Sequence, residues 1–230
     1  MAAAVDRLRK AVRVVTIAED VEAERAMLAD TLEAVGPNAS AGCGMWTAFD
    51  LAAHIVAADR AAGTLAFCIR ALAARGVQFN PKPQVTATVI DRERRDGYPA
   101  LLARLRQRSP RLLLAPVVAA STLFEVWMHH DDLTTSNGLA HGAPEHLALA
   151  IPPLVRYQAK HLPSTRLIIR TTRGHEWTFG RDIGGPSSAV LLGPADDLIR
   201  WLSGRGPLTA LDVEATPAVV EQLRAFVGTI

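Results

Sequence analysis

The feature that most constrains this 230-residue chain is a run of apolar and metal-ligating side chains between Phe124 and Leu133. Phe124, Trp127, Met128 and Leu133 mark a mostly buried segment, and Glu125 and His129 interrupt it. Residues four apart on a helix share a face about one turn apart. A helix here therefore stacks the Glu125 carboxylate against the His129 imidazole, and Asp132, three residues on, falls on the same side. Such a pair can grip one divalent ion, provided a third ligand comes from elsewhere. The plainer reading is a buried helix with a Glu–His hydrogen bond, and the pair alone does not decide between the two.

A second stretch offers a candidate for that third ligand. Thr47-x-x-Asp50 resembles a capping box, with Asp in the usual Glu or Gln place, and predicts the start of a helix. Leu51, His54, Ile55, Ala58, Ala62, Leu65, Ile69 and Leu72 then recur at helical spacing until Gly76. His54 lands on the apolar face among alanines. A lone histidine there is ordinarily a satisfied core residue, but a Glu/His pair on another core helix gives it a second use.

These two stretches carry a resemblance. The pattern C-x-x-W-T-x-x-D-L-x-x-H from Cys43 to His54 is followed about 70 residues later by E-x-x-x-H-x-x-D-L from Glu125 to Leu133. Together they resemble the mycothiol-dependent maleylpyruvate isomerase family. The likeness extends from about Ile17 onward and includes Gly193 to Arg205, which is similar to that family's second domain. It implies an α+β protein: a DinB-like four-helix metal-binding bundle, then a small α+β domain of sterol-carrier-like fold. Position by position, the family's three metal ligands fall on His54, Glu125 and His129. The division expected is an extension over residues 1–16, the bundle over 17–162 and the second domain over 163–230.

The rest of the chain fits this plan. Thr16-x-x-Glu19 is another capping box and should open the first bundle helix, with Met27, Leu28, Leu32 and Val35 inward and Gly36-Pro37 as the stop. Pro99 with Leu101, Leu102 and Leu105 reads as a helical piece, and Pro110 and Pro116 flank the entry to the Glu125 helix. Pro144 suits the first turn of a fifth helix running toward Lys160. Beyond it, Leu167–Thr172, Trp177–Phe179, Ser188–Leu192 and Leu211–Glu214 read as short strands, and Pro194–Leu202 and Pro217–Val227 as helices.

Composition excludes several classes. A hydrophobic content of 49% supplies ample core material, and a net charge of +2 is too small to imply nucleic acid as the main partner. The arginines from Arg92 to Arg108 are interleaved with Asp91, Glu93 and Asp96, which suits a solvated helix face. No apolar run spans a membrane, and the amino terminus lacks a signal peptide's core, so the expected location is cytoplasmic. Residues 1–15 read as a frayed or surface-docked basic extension, the sharper possibility being a basic helical arm for a membrane surface or a partner, a second copy of the chain included. Cys43 and Cys68, the only cysteines, argue against a disulfide scaffold and read as small buried residues, Cys43 some way from His54 with a redox or metal-adjacent thiol as its sharper reading.

Two imidazoles and one carboxylate leave at least one position for water or substrate. Zinc suits this set first; the same ligands describe a non-haem iron site, and nickel or manganese also bind such donors. An open metal position can bind a thiol and present it as thiolate at neutral pH. In the resembled family that thiol is mycothiol, the low-molecular-weight thiol of actinobacteria. It adds to a cis carbon–carbon double bond, and rotation and elimination give the trans product, so the protein needs no catalytic cysteine. The partner expected is a small electrophile, such as a carboxylate, with the protein a monomer or homodimer. Asp132 is a candidate to orient a ligand histidine, or else a helix-end carboxylate bonded to an amide or arginine. Arg205 is the candidate for a substrate carboxylate, ahead of Arg173 and Arg60, its plainer role being to bond helix-end carbonyls. His130 lies about 100° around the helix from His129 and should face solvent or the second domain. His141, His146, His161 and His175 read as ordinary surface or packing residues. Two other readings stay open: a hydrolase or lyase using metal-activated water, and a non-enzymatic bundle that binds metal and a ligand.

Overall fold

The computed structural model describes residues 15–62, 64, 83–159, 161–162, 165–180 and 188–226. The basic extension before Val15, Cys68 and the expected run of the His54 helix to Gly76 lie outside the described residues. The architecture is α+β: a helical bundle followed by a four-stranded sheet with its own helices.

Helix α1 (Ile17–Val35) begins at the expected capping box, in which the Thr16 amide donates to the Glu19 carboxylate at 2.8 Å and the Glu19 amide donates to the Thr16 hydroxyl at 3.3 Å. It ends at Gly36, whose φ of +82° disfavours any side chain. Its inner face differs from the expected one. Met27 is 46% exposed, and the buried stripe runs through Val21, Glu24, Arg25, Leu28 and Leu32. Two charged residues sit in the middle of that stripe, so a reading of apolar residues alone passes over it.

Helix α2 (Ala48–Ala62) opens from the second box, with the Thr47 amide on Asp50 at 2.9 Å and the Asp50 amide on the Thr47 hydroxyl at 3.3 Å. Helices α3 (Pro83–Arg94) and α4 (Tyr98–Leu105) are short and together form the wall beside α2. Helix α5 (Pro116–Ser136) completes the bundle against α1 and α2, with Pro116 in its first turn, where the missing amide would have no helical partner anyway.

One core, built from Leu28, Leu32, Leu51, Ile55, Leu101, Leu105, Val126 and Leu133, lies inside the bundle. A second joins Phe124, Trp127 and Met128 of α5 to Leu147, Ile151, Leu167, Ile169, Leu191, Trp201 and Leu223. Helix α5 is thus covered on two sides, which is why its apolar residues run all round it. The single helix expected after Pro144 is instead a 3-10 turn (Leu147–Ala150) followed by α6 (Ile151–Gln158). Pro152 and Pro153 fit the first turn of a new helix and would break one continued from upstream.

The sheet has the order β2-β1-β3-β4, with β1 (Arg166–Thr171) and β3 (Ser188–Gly193) parallel at the centre. Strands β2 (Glu176–Phe179) and β4 (Asp212–Glu214) pair antiparallel at the edges. Leu167, Ile169, Ala189 and Leu191 alternate inward to the second core, and α7 (Ala195–Leu202) and α8 (Pro217–Ala225) contribute Leu198, Trp201 and Leu223 to it.

The two units are also joined by charge. Consecutive residues at the end of α5 each hold an arginine bidentately: Asp131 takes Arg200 through Nε and Nη2, both at 2.9 Å, and Asp132 takes Arg205 through Nε at 2.8 Å and Nη2 at 3.0 Å. The loop between α1 and α2 crosses the same end of α5, where Ser136 and Asn137 both donate to the carbonyl of Ser40. At the crossing Gly42 has φ +77°, and a Cβ there would stand 2.3 Å from the Asp132 carbonyl oxygen. We predict that Gly42→Ala lowers stability by about 2–4 kcal/mol, combining a left-handed backbone with an overlap against fixed backbone. Gly44→Ala should cost only about 1–2 kcal/mol, since its φ is +58° but no atom lies within 4 Å of a Cβ. Urea unfolding of the two variants measures the difference.

Candidate metal centre

The helix pitch and the loop before α2 bring His54, Glu125 and His129 to one point, their ligand atoms all within 4.8 Å of one another. Oε1 of Glu125 stands 3.2 Å from Nε2 of His54 and 3.4 Å from Nε2 of His129. Those separations are informative. Ligand bonds of about 2.0–2.2 Å at tetrahedral angles place neighbouring ligand atoms about 3.3–3.6 Å apart. A charge-assisted N–H···O bond closes instead to about 2.7–2.9 Å. The two separations lie in the range of donors around a common ion as well as of a long hydrogen bond, and two imidazoles with one carboxylate are a donor set that fits a divalent metal.

The surroundings are half dry. His129 is 7% exposed, and the Glu125 side chain keeps 29% of its surface. Trp46 packs its indole 5.0 Å from the His54 ring and 6.2 Å from the His129 ring, forming an apolar wall. The two imidazoles meet edge to face at 5.1 Å.

Residues 19–134 match the family model of the mycothiol maleylpyruvate isomerase N-terminal domain, a span that contains all three converging side chains. This chain belongs to that family. Its fold is similar to the crystal structure of the mycothiol-dependent maleylpyruvate isomerase, with a TM-score of 0.56 over 86% of this chain and 91% of that one at 15% identity. A crystal structure of a histidine-to-alanine mutant of the isomerase gives a TM-score of 0.53 at 16% identity, with the same coverage. Comparison with curated proteins found no match.

Within this member of the family, burial alone would discharge Glu125, but hydrogen bonds and charge from His129 and His54 outweigh it and hold the carboxyl well below the usual range. Burial also opposes a charge on His129, yet the Cys43 and Glu125 side chains raise it to about 10. Both directions describe a carboxylate that gathers positive charge, which a proton or a metal ion can supply.

Asp132 and Arg205 lie together as the ion pair described above, and Arg205 also donates to the Ser203 carbonyl at 3.2 Å. Arg60 is engaged by Glu93 and Asp96, and Arg173 is exposed in the turn after β1. Cys43 was expected to be a small buried residue some way from His54, and it is not grouped with His54. Its sulfur instead lies within 4.8 Å of His129 and Asp132 ligand atoms, carried there by the close crossing at Gly42.

The sequence reading also misplaced His130. Its ring is 3% exposed and turns toward α1, where Nδ1 lies 2.6 Å from Oε1 of Glu24 and Nε2 lies 2.8 Å from the Thr31 hydroxyl. The reason is that α1, not solvent, covers that side of α5. Nε2 of His141 reaches the same Glu24 oxygen at 2.8 Å, and Asp131 lies 3.5 Å from its Nδ1. His146 bonds Asp20 at 2.9 Å. Separations of 2.6 and 2.8 Å are those of hydrogen bonds, so the Glu24–His130–His141 group is a proton-linked network joining α1, α5 and the following loop. A buried Glu24 within an apolar stripe was the one available sequence signal for it.

This network makes stability depend on pH. Burial works against a charged His141, but Asp131 and Glu24 raise it to about 9; its stabilising charge is complete below the unfolded value of about 6.5 and is lost as pH rises through about 9. Burial likewise opposes charge on Asp131, and Arg200 and His141 hold it at about 2, so its contribution is present above about 3.8 and is lost as pH falls through about 2. The parent's urea midpoint should fall between pH 6.5 and 9, and His141→Gln should flatten that limb; a decline of unchanged size in the variant would assign it to other groups.

Proposed function

We propose that His54, Glu125 and His129 hold a divalent metal, zinc before iron, nickel or manganese. We further propose that the protein is an enzyme using that centre to activate a low-molecular-weight thiol, mycothiol, for isomerisation of, or S-transfer to, a small electrophile. The observation that carries this reading is the 3.2 and 3.4 Å spacing of three donors contributed by two core helices. Three protein donors leave a position for an exogenous group, whereas a structural zinc site closes itself with four. When bound, the metal supplies the positive charge that lowers a thiol's pKa and presents it as thiolate at neutral pH. Membership of the mycothiol maleylpyruvate isomerase family and a fold like that isomerase's support the choice of thiol and reaction class.

The chain's own residues perform the remaining work. Glu125 would offset the cation's charge, and His54 and His129 would complete its protein donors. Trp46 gives the pocket an apolar side that keeps water from competing with the thiol. We propose Asp132 and Arg205 as an acting pair beside His129, with the guanidinium the candidate to meet the carboxylate of an acidic substrate.

Purified protein should contain about one equivalent of metal per chain, and mycothiol should raise the melting temperature only when metal is present. His54→Ala, Glu125→Gln and His129→Ala should each lose the metal and all thiol-dependent turnover while keeping the helical circular-dichroism signal. Turnover indifferent to added mycothiol would replace this reading with a metal-activated-water hydrolase or lyase. Metal and mycothiol binding with no turnover of any electrophile would leave a binding protein. Arg205→Ala should raise KM for an acidic substrate about tenfold and leave a neutral one unchanged; equal losses on both would confine Arg205 to its ion pair with Asp132.

A further inference from the structure

His129 uses one ring nitrogen on the Glu125 side, and the other raises a question. Nε2 is the atom 3.4 Å from Glu125. Nδ1 is buried with no hydrogen-bond partner in a residue that is 93% shielded from solvent. A buried ring nitrogen without a partner is costly, and a metal-bound imidazole almost always donates its second N–H to an acceptor that fixes its tautomer and orientation. Cys43 and Asp132 are grouped with His129 within 4.8 Å, and this group shares only His129 with the His54–Glu125–His129 set. The sulfur is thus grouped with Asp132 on His129 and not with His54 and Glu125 as a fourth donor.

Two facts separate Cys43 from Asp132 as the acceptor. Both carboxylate oxygens of Asp132 already receive Arg205. The Cys43 thiol donates its own proton to the Ala41 carbonyl at 3.7 Å, which leaves the sulfur lone pairs free to accept. The loop that carries it is fixed by Ala41 and Trp46, paired at 2.9 Å, and by the Gly42 crossing over α5. The same loop thus delivers both Trp46 and Cys43 to His129.

We propose that Cys43 is a positioning residue whose sulfur accepts the Nδ1 proton of His129 and so commits Nε2 to the metal. The inference rests on the metal-binding reading above and adds to it a role for a thiol that never enters the chemistry. A cysteine near a thiol-activating centre invites the idea of an internal nucleophile. Its grouping with His129 alone of the three candidate ligands assigns it instead to holding that ligand still.

Zinc affinity, measured by competition with a chromophoric chelator, and the visible spectrum of the cobalt(II)-substituted protein test the idea without reference to activity. Cys43→Ala should weaken zinc binding 10- to 100-fold, the range for loss of a ligand's outer partner, and shift the cobalt bands. Cys43→Ser, which keeps an acceptor, should restore both. Should the alanine variant fail to fold, Cys43→Val keeps the volume without a good acceptor and carries the same expectation. In the zinc-loaded parent, nitrogen-15 spectra of labelled histidine should show His129 protonated at Nδ1; a metal on Nδ1, or an alanine variant with parental affinity and spectrum, overturns the proposal. A parent that binds no metal overturns the functional reading as well, so the two failures are told apart by the parent alone.

Discussion

The structure depends on one helix being buried from several directions at once. Successive residues of α5 point about 100° apart, and from Glu125 to Asp132 nearly every direction meets a different neighbour. Glu125 and His129 face His54 on α2, His130 faces Glu24 and Thr31 on α1, and Asp131 and Asp132 face Arg200 and Arg205 of the second unit. Phe124, Trp127 and Met128 meanwhile anchor the sheet's core. A site assembled on such a helix inherits its rigidity, because no side chain there can turn without displacing a packed partner.

Burying this much charge demands compensation, and the compensation is paired. Glu24 and Arg25 are almost fully buried in α1, yet Glu24 faces two histidines and Arg25 reaches Asp59 with two bonds at 3.1 and 2.7 Å. Pairs of this kind add little net stability over apolar residues of the same shape, while removing one partner is expensive. Their effect is to fix which faces meet. The Asp131–Arg200 pair is extended by Asp196 and Asp197 on α7 and by the Trp127 ring 5.4 Å below the guanidinium.

Much of this was legible in the sequence, for definite reasons. Capping boxes at Thr16 and Thr47 announce helix starts because their hydrogen bonds close within three residues. The alternation in β1 and β3 shows because one face is buried. Glu125 and His129 could be paired from spacing alone, since a helix turn fixes their relation. What stayed hidden was set by tertiary contact: the burial of His130 depends on α1 lying across it, and the place of Cys43 depends on how far a glycine lets a loop approach. Met27 went wrong for a related reason, since Glu24 and Arg25 hold the inward positions that an apolar pattern would deny them.

The four consecutive side chains from His129 to Asp132 serve the metal-side cluster, the α1 network and two separate arginines. Exchanging one residue type in this stretch disturbs the one partner it meets. A change of length disturbs them all, because adding or removing a single residue would rotate everything beyond it by about 100° and hand each side chain to the wrong neighbour. The number of residues in α5 is therefore as constrained as the identity of the side chains that meet a partner.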